Sequence, residues 1–344
     1  MIINVVSFSK EGEKIADMLC QKDQDNLYVF KEKSVSLSEW TKNCFFMHMP
    51  MLFICACGIA VRAIAPFVDS KLTDSPVIVM DEKGNNVIPV LSGHLGGAND
   101  IAKHICDVIL ANPVLTTATD VAGAFAVDNF AKNNGFAIIN PKVIKMVSAK
   151  SIQAETIKVY VDAKVKVLKE APKGIILTDD IMGADVTIHP DMDSYKKKQE
   201  MFFGMPNDAL HLVSKNYVIG IGCKKDKSFL ELNDFINEHV IDYINSDKVY
   251  CMATIDLKKK ERGLLELASY HRLTLKFFDK DELNEIEGTF TSSSFVESIT
   301  GTANVCERAA MAAAVEGEIV MGKKMSDGKT IALAKRKPAI MQWL

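Results

Sequence analysis

Leu91-Ser92-Gly93-His94-Leu95-Gly96-Gly97-Ala98-Asn99-Asp100 joins an apolar run to a helical pattern, with three glycines around one histidine. Upstream, Asn86–Leu91 reads as a strand; downstream, Gly97–Leu110 sets Ile101, Ile105, Val108 and Ile109 on one helical face. The same alternation precedes it in Ile2–Phe8, Glu11–Cys20, Leu27–Phe30 and Met51–Cys57, which implies a sheet with helices on its faces. Pro76–Asp81 and Asn86–Leu91 flank Lys83-Gly84-Asn85, a hairpin signal. Pro113–Thr117 reads as a further strand and Val121–Asn133 as a helix stopped near Gly135.

The chain has 344 residues, beyond the roughly 250 to 300 at which single cores stop growing, so more than one domain is expected. From Asn140 the pattern changes to one helix, Pro141–Ile152, and short strand-like runs at Ile157–Ala163, Gly174–Thr178 and Val186–His189. The polar stretch Asp191–Asn207, with Lys196-Lys197-Lys198, reads as an exposed connection. A third segment opens with the strand pair Leu210–Ser214 and Tyr217–Ile221. It continues through helix Phe229–Ile244, strand Val249–Ile255, helix Glu261–His271, strand Thr274–Phe278, helix Ala303–Val315 and strands Glu318–Met321 and Thr330–Ala334. The expectation is a multidomain α/β protein: an N-terminal layered α/β sheet domain (1–138), a small β-rich middle section (139–209) and a C-terminal α/β domain (210–344).

Charged residues make up 25% and apolar residues 48%, and a net charge of -3 gives no nucleic-acid footprint. The eight cysteines lack a repeated Cys-x-x-Cys spacing and read as reduced thiols of a cytoplasmic protein. Met1–Lys10 lacks a basic flank and a small-residue cleavage site. The apolar run Met51–Val61 is far shorter than the roughly 18 to 20 residues of a membrane span, so no membrane partner is expected.

Several strand ends carry chemistry-bearing residues. The glycines of the histidine loop permit positive φ and close ligand approach, and N–H groups at a helix start can hold a carboxylate or phosphate. Within it, Ser92, Gly93, Gly96, Gly97, Ala98 and Asn99 are candidate binding positions and His94 a candidate proton carrier; the plain alternative is a tight turn with an incidental histidine. The glycines do not form Gly-x-Gly-x-x-Gly, which argues against a dinucleotide site. In the second loop, Cys57–Pro66, Arg62 is the one charge in apolar surroundings and could clasp a carboxylate, or simply reach solvent. Thr116-Thr117-Ala118-Thr119-Asp120 offers three hydroxyls, Thr117 among them, to ligand oxygens, against a bland role in capping with Thr119 or Asp120 as the N-cap. Gly222 and Lys224 end another strand with glycine and positive charge. Ser294, Glu297 and Gly301 precede the helix at Ala303, suited to an anionic ligand; otherwise this is a polar connection before a packing helix, with Glu307 and Arg308 facing water.

Taken in order, Gly58–Pro66, Ser92–Asn99, Thr116–Asp120, Gly220–Lys224 and Ser293–Ala310 resemble the cobalt-precorrin-5A hydrolase (CbiG) family of anaerobic cobalamin synthesis. The resemblance implies opening of the δ-lactone of cobalt-precorrin-5A and loss of acetaldehyde to give cobalt-precorrin-5B. It implies catalytic work for His94, with Asp120 or Glu297 assisting, and backbone N–H groups of Gly96, Gly97 and Ala98 as oxyanion donors. The substrate is a flat macrocycle edged with acetates and propionates, which Arg62, Lys224 and the glycine loops would hold. Cobalt travels with it, so neither a protein metal site nor another cofactor is required. A homodimer and transient contact with neighbouring pathway enzymes are compatible with this reading. A non-catalytic corrinoid-binding or scaffolding protein is the alternative; a nucleotide-dependent enzyme would need phosphate motifs that the sequence lacks.

Overall fold

The computed structural model describes residues 1–116, 124–202, 204–206, 208–291, 294–337 and 339–343. The chain forms two compact units, Met1–Thr117 with Lys225–Asn233 and Lys258–Leu273, and Ala118–Lys224 with Asp234–Leu257 and Thr274–Leu344. Among the described residues no helix is long and apolar enough to cross a membrane.

The first unit is built on strands β1 (Ile2–Ser7), β2 (Leu27–Phe30), β3 (Met51–Ile54), β4 (Val77–Met80), β5 (Asn86–Leu91) and β6 (Asn112–Pro113), in the order β2-β1-β3-β4-β5-β6. Period-two alternation sorts its side chains onto two dry faces. Ile3, Val5, Leu52, Ile54, Ile78 and Met80 meet Ala16 and Leu19 of helix α1 (Lys10–Lys22) and Ile101 and Ile105 of helix α4 (Ala98–Ile109). Val6, Met51, Phe53, Val77 and Val79 meet Trp40 and Cys44 of helix α2 (Leu37–Phe46) and Ala60 and Ile64 of helix α3 (Cys57–Ile64). Phe53 is fully buried with Trp40 edge-on at 5.5 Å, so Phe53→Ala should cost about 3–5 kcal/mol.

β1 to β4 run parallel, whereas β5 returns antiparallel beside β4 and pairs Leu91 with Val77. The turn between them is fixed by Asp81, whose carboxylate accepts N–H bonds from Lys83, Asn85 and Asn86, with Gly84 at φ 70°. The expected hairpin is therefore present.

The second unit carries two five-stranded sheets and a small third one. The first contains β7 (Phe136–Ile138), β8 (Ile157–Val161), β10 (Ile175–Leu177), β11 (Val186–His189) and β12 (Leu210–Ser214), in the order β10-β8-β11-β12-β7. It draws β7 from before residue 139 and β12 from beyond 209. Strand β9 (Val165–Val167) pairs instead with β18 (Ala339–Met341). Helices α5 (Val127–Asn134) and α6 (Ile144–Ile152) cover this core, where Trp343 stacks on Phe130 at 4.9 Å. The other large sheet runs β15-β14-β13-β17-β16, from β13 (Tyr217–Cys223), β14 (Val249–Ile255), β15 (Thr274–Phe278), β16 (Gly317–Ser326) and β17 (Lys329–Arg336).

Three local expectations fail. Cys57–Ile64 is helical and not a loop, because β3 stops at Ile54 and apolar Ala60 and Ile64 turn inward one helical turn apart. Leu210–Ser214 and Tyr217–Ile221 do not pair; they belong to different sheets. The stretch after Asp191 is helix α7 (Met192–Met201), started by the Asp191 carboxylate accepting the Ser194 N–H at 2.7 Å and anchored by buried Tyr195.

β11 and β12 bury a titratable chain. His189 Nε2 lies 3.0 Å from Thr187 Oγ1, which lies 2.8 Å from His211 Nδ1, and both rings are almost wholly buried. Burial, reinforced by neighbouring His211, holds the His189 imidazole down at about 4. The unfolded chain, with an ordinary value near 6.5, then binds the proton first as pH falls, and stability is lost between about pH 6.5 and pH 4. Denaturant titrations at pH 7 and pH 5 should differ by about 2 kcal/mol on this account, and His189→Gln should flatten the difference. An unchanged slope in the variant would refute the assignment to His189.

Candidate active site

Antiparallel β5 decides where the histidine loop lies. Because Leu91 sits beside Val77, and Val77 beside Met51, residues 92–97 lie at the edge of the sheet where β3 and β4 begin. Ser92, in the left-handed region at φ 57°, donates its hydroxyl to the Asp74 carbonyl at 2.7 Å. The loop then closes on itself. Gly97 N–H donates to His94 O at 3.0 Å, Ala98 N–H to Ser92 O at 3.1 Å and Asn99 N–H to Gly93 O at 3.0 Å. His94 is half-buried, and its neighbour Gly97 holds φ 86°. At Gly96 an added Cβ would stand 2.8 Å from the Ser92 carbonyl oxygen and 2.5 Å from Ser92 Cβ, so the turn admits only glycine there.

This geometry corrects the oxyanion proposal: the N–H groups of Gly97 and Ala98 are spent inside the turn. Gly96 N–H is the one of the three that no protein acceptor takes among the described residues.

Arg62 is not at this edge. Helix α3 starts beyond Ile54, at the opposite end of β3, and the exposed Arg62 folds back along it to donate from Nη1 to Gly58 O at 3.1 Å. The two segments follow strands of one sheet, but β3 and β5 point in opposite directions, so they lie at opposite ends of it. His48 before β3 and Asp74 before β4 occupy the His94 edge instead. Sequence reading passed over both because their placement depends on the direction of β5. The hairpin signal at Lys83-Gly84-Asn85 carried that information.

In the second unit, Gly222 stands near the end of β13 beside the start of helix α13 (Val305–Ala314), and Lys224 follows the strand, its N–H donating to Gly328 O at 2.8 Å. The glycines there serve packing: a Cβ on Gly220 would lie within bonding distance of the Cys306 carbonyl oxygen, and one on Gly222 would be 2.7 Å from Thr330 Oγ1. Glu307 does not face water. It is buried and accepts N–H bonds from Thr291 at 3.0 Å and Lys323 at 2.8 Å, tying loop and edge strand to α13. Arg308 likewise donates to the carbonyls of Leu283 and Ile286 and lies over the Phe290 ring. These two residues frame helix α12 (Ser294–Thr300), on which Glu297 is exposed. Gly301 follows at φ 73°, its carbonyl accepting from Asn284. Thr117 and Asp120 lie outside the described residues.

All eight cysteines are free thiols, with burial pushing Cys44 up to about 12 and Cys55 to about 11. Among the described residues no three His, Cys, Asp or Glu side chains gather as a metal site.

The first unit thus joins a layered sheet to a rigid, glycine-closed histidine loop, an arrangement suited to moving a proton in a bound ligand. The comparisons with known proteins name the class more closely. The family models described as Cobalamin synthesis G N-terminal and Cobalamin synthesis G C-terminus match residues 39–120 and 217–334. A Priestia megaterium protein named cobalt-precorrin-5A hydrolase is 32% identical, over 96% of this chain and 94% of that protein. A protein of the same name from Salmonella typhimurium strain LT2 is 30% identical, over 85% of this chain and 83% of that protein. The chain belongs to the cobalamin biosynthesis G, or cobalt-precorrin-5A hydrolase, family.

The two glycine-bearing segments can be told apart by substitution. Gly96→Ala should lower stability by about 1–3 kcal/mol, because its clash is with backbone. Gly58→Ala meets only the Arg62 guanidinium and should be neutral, or stabilising by up to about 1 kcal/mol within helix α3. Equal effects in chemical denaturation would contradict this description of the turn.

Proposed function

We propose that the chain acts as a cobalt-precorrin-5A hydrolase in the early-cobalt-insertion route to cobalamin, opening the δ-lactone and releasing acetaldehyde to leave cobalt-precorrin-5B. The observation that carries this reading is identity of 32% with a protein of that name along 96% of the chain, a span that takes in both units. The reaction is placed in the cytoplasm and uses no protein-bound cofactor; cobalt enters and leaves with the macrocycle.

The proposed chemistry starts with water. His94 takes a proton as the water oxygen adds to the lactone carbonyl, and Gly96 N–H donates to the oxyanion that develops. Collapse breaks the acyl carbon–oxygen bond, giving a carboxylate and a hydroxyl that receives the proton. Loss of the hydroxyl proton then drives cleavage of the adjacent carbon–carbon bond. Acetaldehyde departs, and the electron pair of the broken bond passes into the electron-poor ring. Asp120 or Glu297 is assigned the second proton transfer. Ser92, Gly93 and Asn99 shape the loop, while Thr117, Lys224, Ser294 and Gly301 are assigned to the macrocycle's periphery and Gly222 to packing. Arg62, at the far edge of the sheet, is left with a peripheral carboxylate distant from the reacting lactone.

His94→Ala tests the assignment. Acetaldehyde release should fall by about a hundred- to ten-thousand-fold while the fold and macrocycle binding persist. Normal turnover with a lower melting temperature would make His94 a turn residue and move the proton chemistry elsewhere.

A further inference from the structure

Two helices of the first unit end in the same way. After α2, His48 N–H donates to Phe45 O and Met49 N–H to Cys44 O; after helix α10 (Arg262–Tyr270), Arg272 N–H donates to Ser269 O and Leu273 N–H to Ala268 O. Both are Schellman closures, in which the residue just past the helix turns left-handed and is usually glycine. Here those positions hold His48 at φ 51° and Arg272 at φ 53°. Glycine would adopt this backbone without strain. The two side chains that take its place touch each other: Arg272 Nη2 lies 2.8 Å from His48 Nε2 and 3.3 Å from Nδ1.

The contact runs on toward the histidine loop. The Asp74 carbonyl, on the same edge, accepts the Ser92 hydroxyl, and the charge of Asp74 reaches Arg272. Arg272, His48, Asp74 and Ser92 thus lie along one sheet edge.

This guanidinium has no carboxylate in ion-pair contact among the described residues. Asp74 is near enough for its charge to act on Arg272, but its Oδ1 already accepts the N–H groups of Asp69 and Ser70. A neutral imidazole therefore orients an exposed cation without cancelling it. Burial and the Arg272 charge both keep the ring neutral by disfavouring its protonation. Nor is the pair needed to pin the helices together, since Ser269 Oγ already donates to His48 O at 3.0 Å. An arginine held in this way keeps free N–H donors in a fork that matches a carboxylate.

We propose that Arg272, oriented by His48, is the carboxylate-binding residue of the His94 edge, receiving an acidic side chain of the macrocycle. The role first expected of Arg62 then falls to a residue from far along the chain. This inference rests on the reading of the chain as a cobalt-precorrin-5A hydrolase.

The test uses the full-length chain with cobalt-precorrin-5A as Arg272→Gly and Arg272→Lys, measuring acetaldehyde release, macrocycle binding and the unfolding midpoint. Glycine suits the left-handed position, so Arg272→Gly should unfold no earlier than wild type, yet raise KM about ten- to a hundredfold with kcat changed less than threefold. That range matches the loss of one charge-assisted hydrogen-bond pair. Arg272→Lys should recover part of the affinity. Wild-type KM in Arg272→Gly, or a raised KM only alongside a lowered midpoint in both variants, would overturn the proposal. If wild-type protein binds the macrocycle but releases no acetaldehyde, the hydrolase reading fails, and the binding constants of the same variants still decide the role of Arg272.

Discussion

The pairing of β5 antiparallel to β4 is the constraint on which the first unit's chemistry depends. Four parallel strands send their chain ends to one side of a sheet, and the usual expectation places ligands there. The reversal at β5 sends the histidine loop to the other side. Residues that precede β3 and β4, namely His48 and Asp74, thereby become its neighbours. Asp81 and Gly84, which hold the reversing turn, are as necessary to this arrangement as any residue in the loop.

Much of this was legible in the chain, for identifiable reasons. Strands buried on both faces, such as Met51–Ile54 and Val77–Met80, stand out as apolar runs, and α4 shows its inward face through Ile101 and Ile105. The loop Ser92–Asn99 was recognisable because steric limits at Gly96 and Gly97 leave a glycine signature. Three things were hidden. Cys57–Ile64 carries apolar residues on several sides, so its helical period is masked. Sheet membership could not be inferred for Leu210–Ser214 and Tyr217–Cys223, because a two-residue connection usually signals a hairpin but here separates two sheets. Arg272 and His48 lie more than two hundred residues apart, and no local pattern announces their contact.

Glycine has different meanings in the two units. Around His94 it lets the backbone fold into a closed turn; along β13 it lets an alanine-rich helix press on the sheet, with Ala309, Ala310, Ala313 and Ala314 against Val218, Cys251 and Ala334. Buried Glu307 belongs to that second architecture. Its carboxylate satisfies backbone donors from Thr291 and Lys323, a role that would cost several kcal/mol if the group were left unpaired. The segment bearing Glu297 and Gly301 is thus anchored by a polar core contact. A motif match alone did not distinguish a ligand-facing acid from this structural one.

The central claim is that water attacks the lactone carbonyl in a site this chain provides by itself. It is tested most directly by incubating the purified protein alone with cobalt-precorrin-5A in oxygen-18 water. Acetaldehyde should be released in step with product, and the macrocycle should retain one oxygen-18 in its newly freed carboxylate, because the acyl carbon–oxygen bond is the one broken. A macrocycle that binds but yields no acetaldehyde would contradict the account. So would acetaldehyde release with no label retained in the macrocycle, since that would place the cleavage on the alkyl side of the lactone.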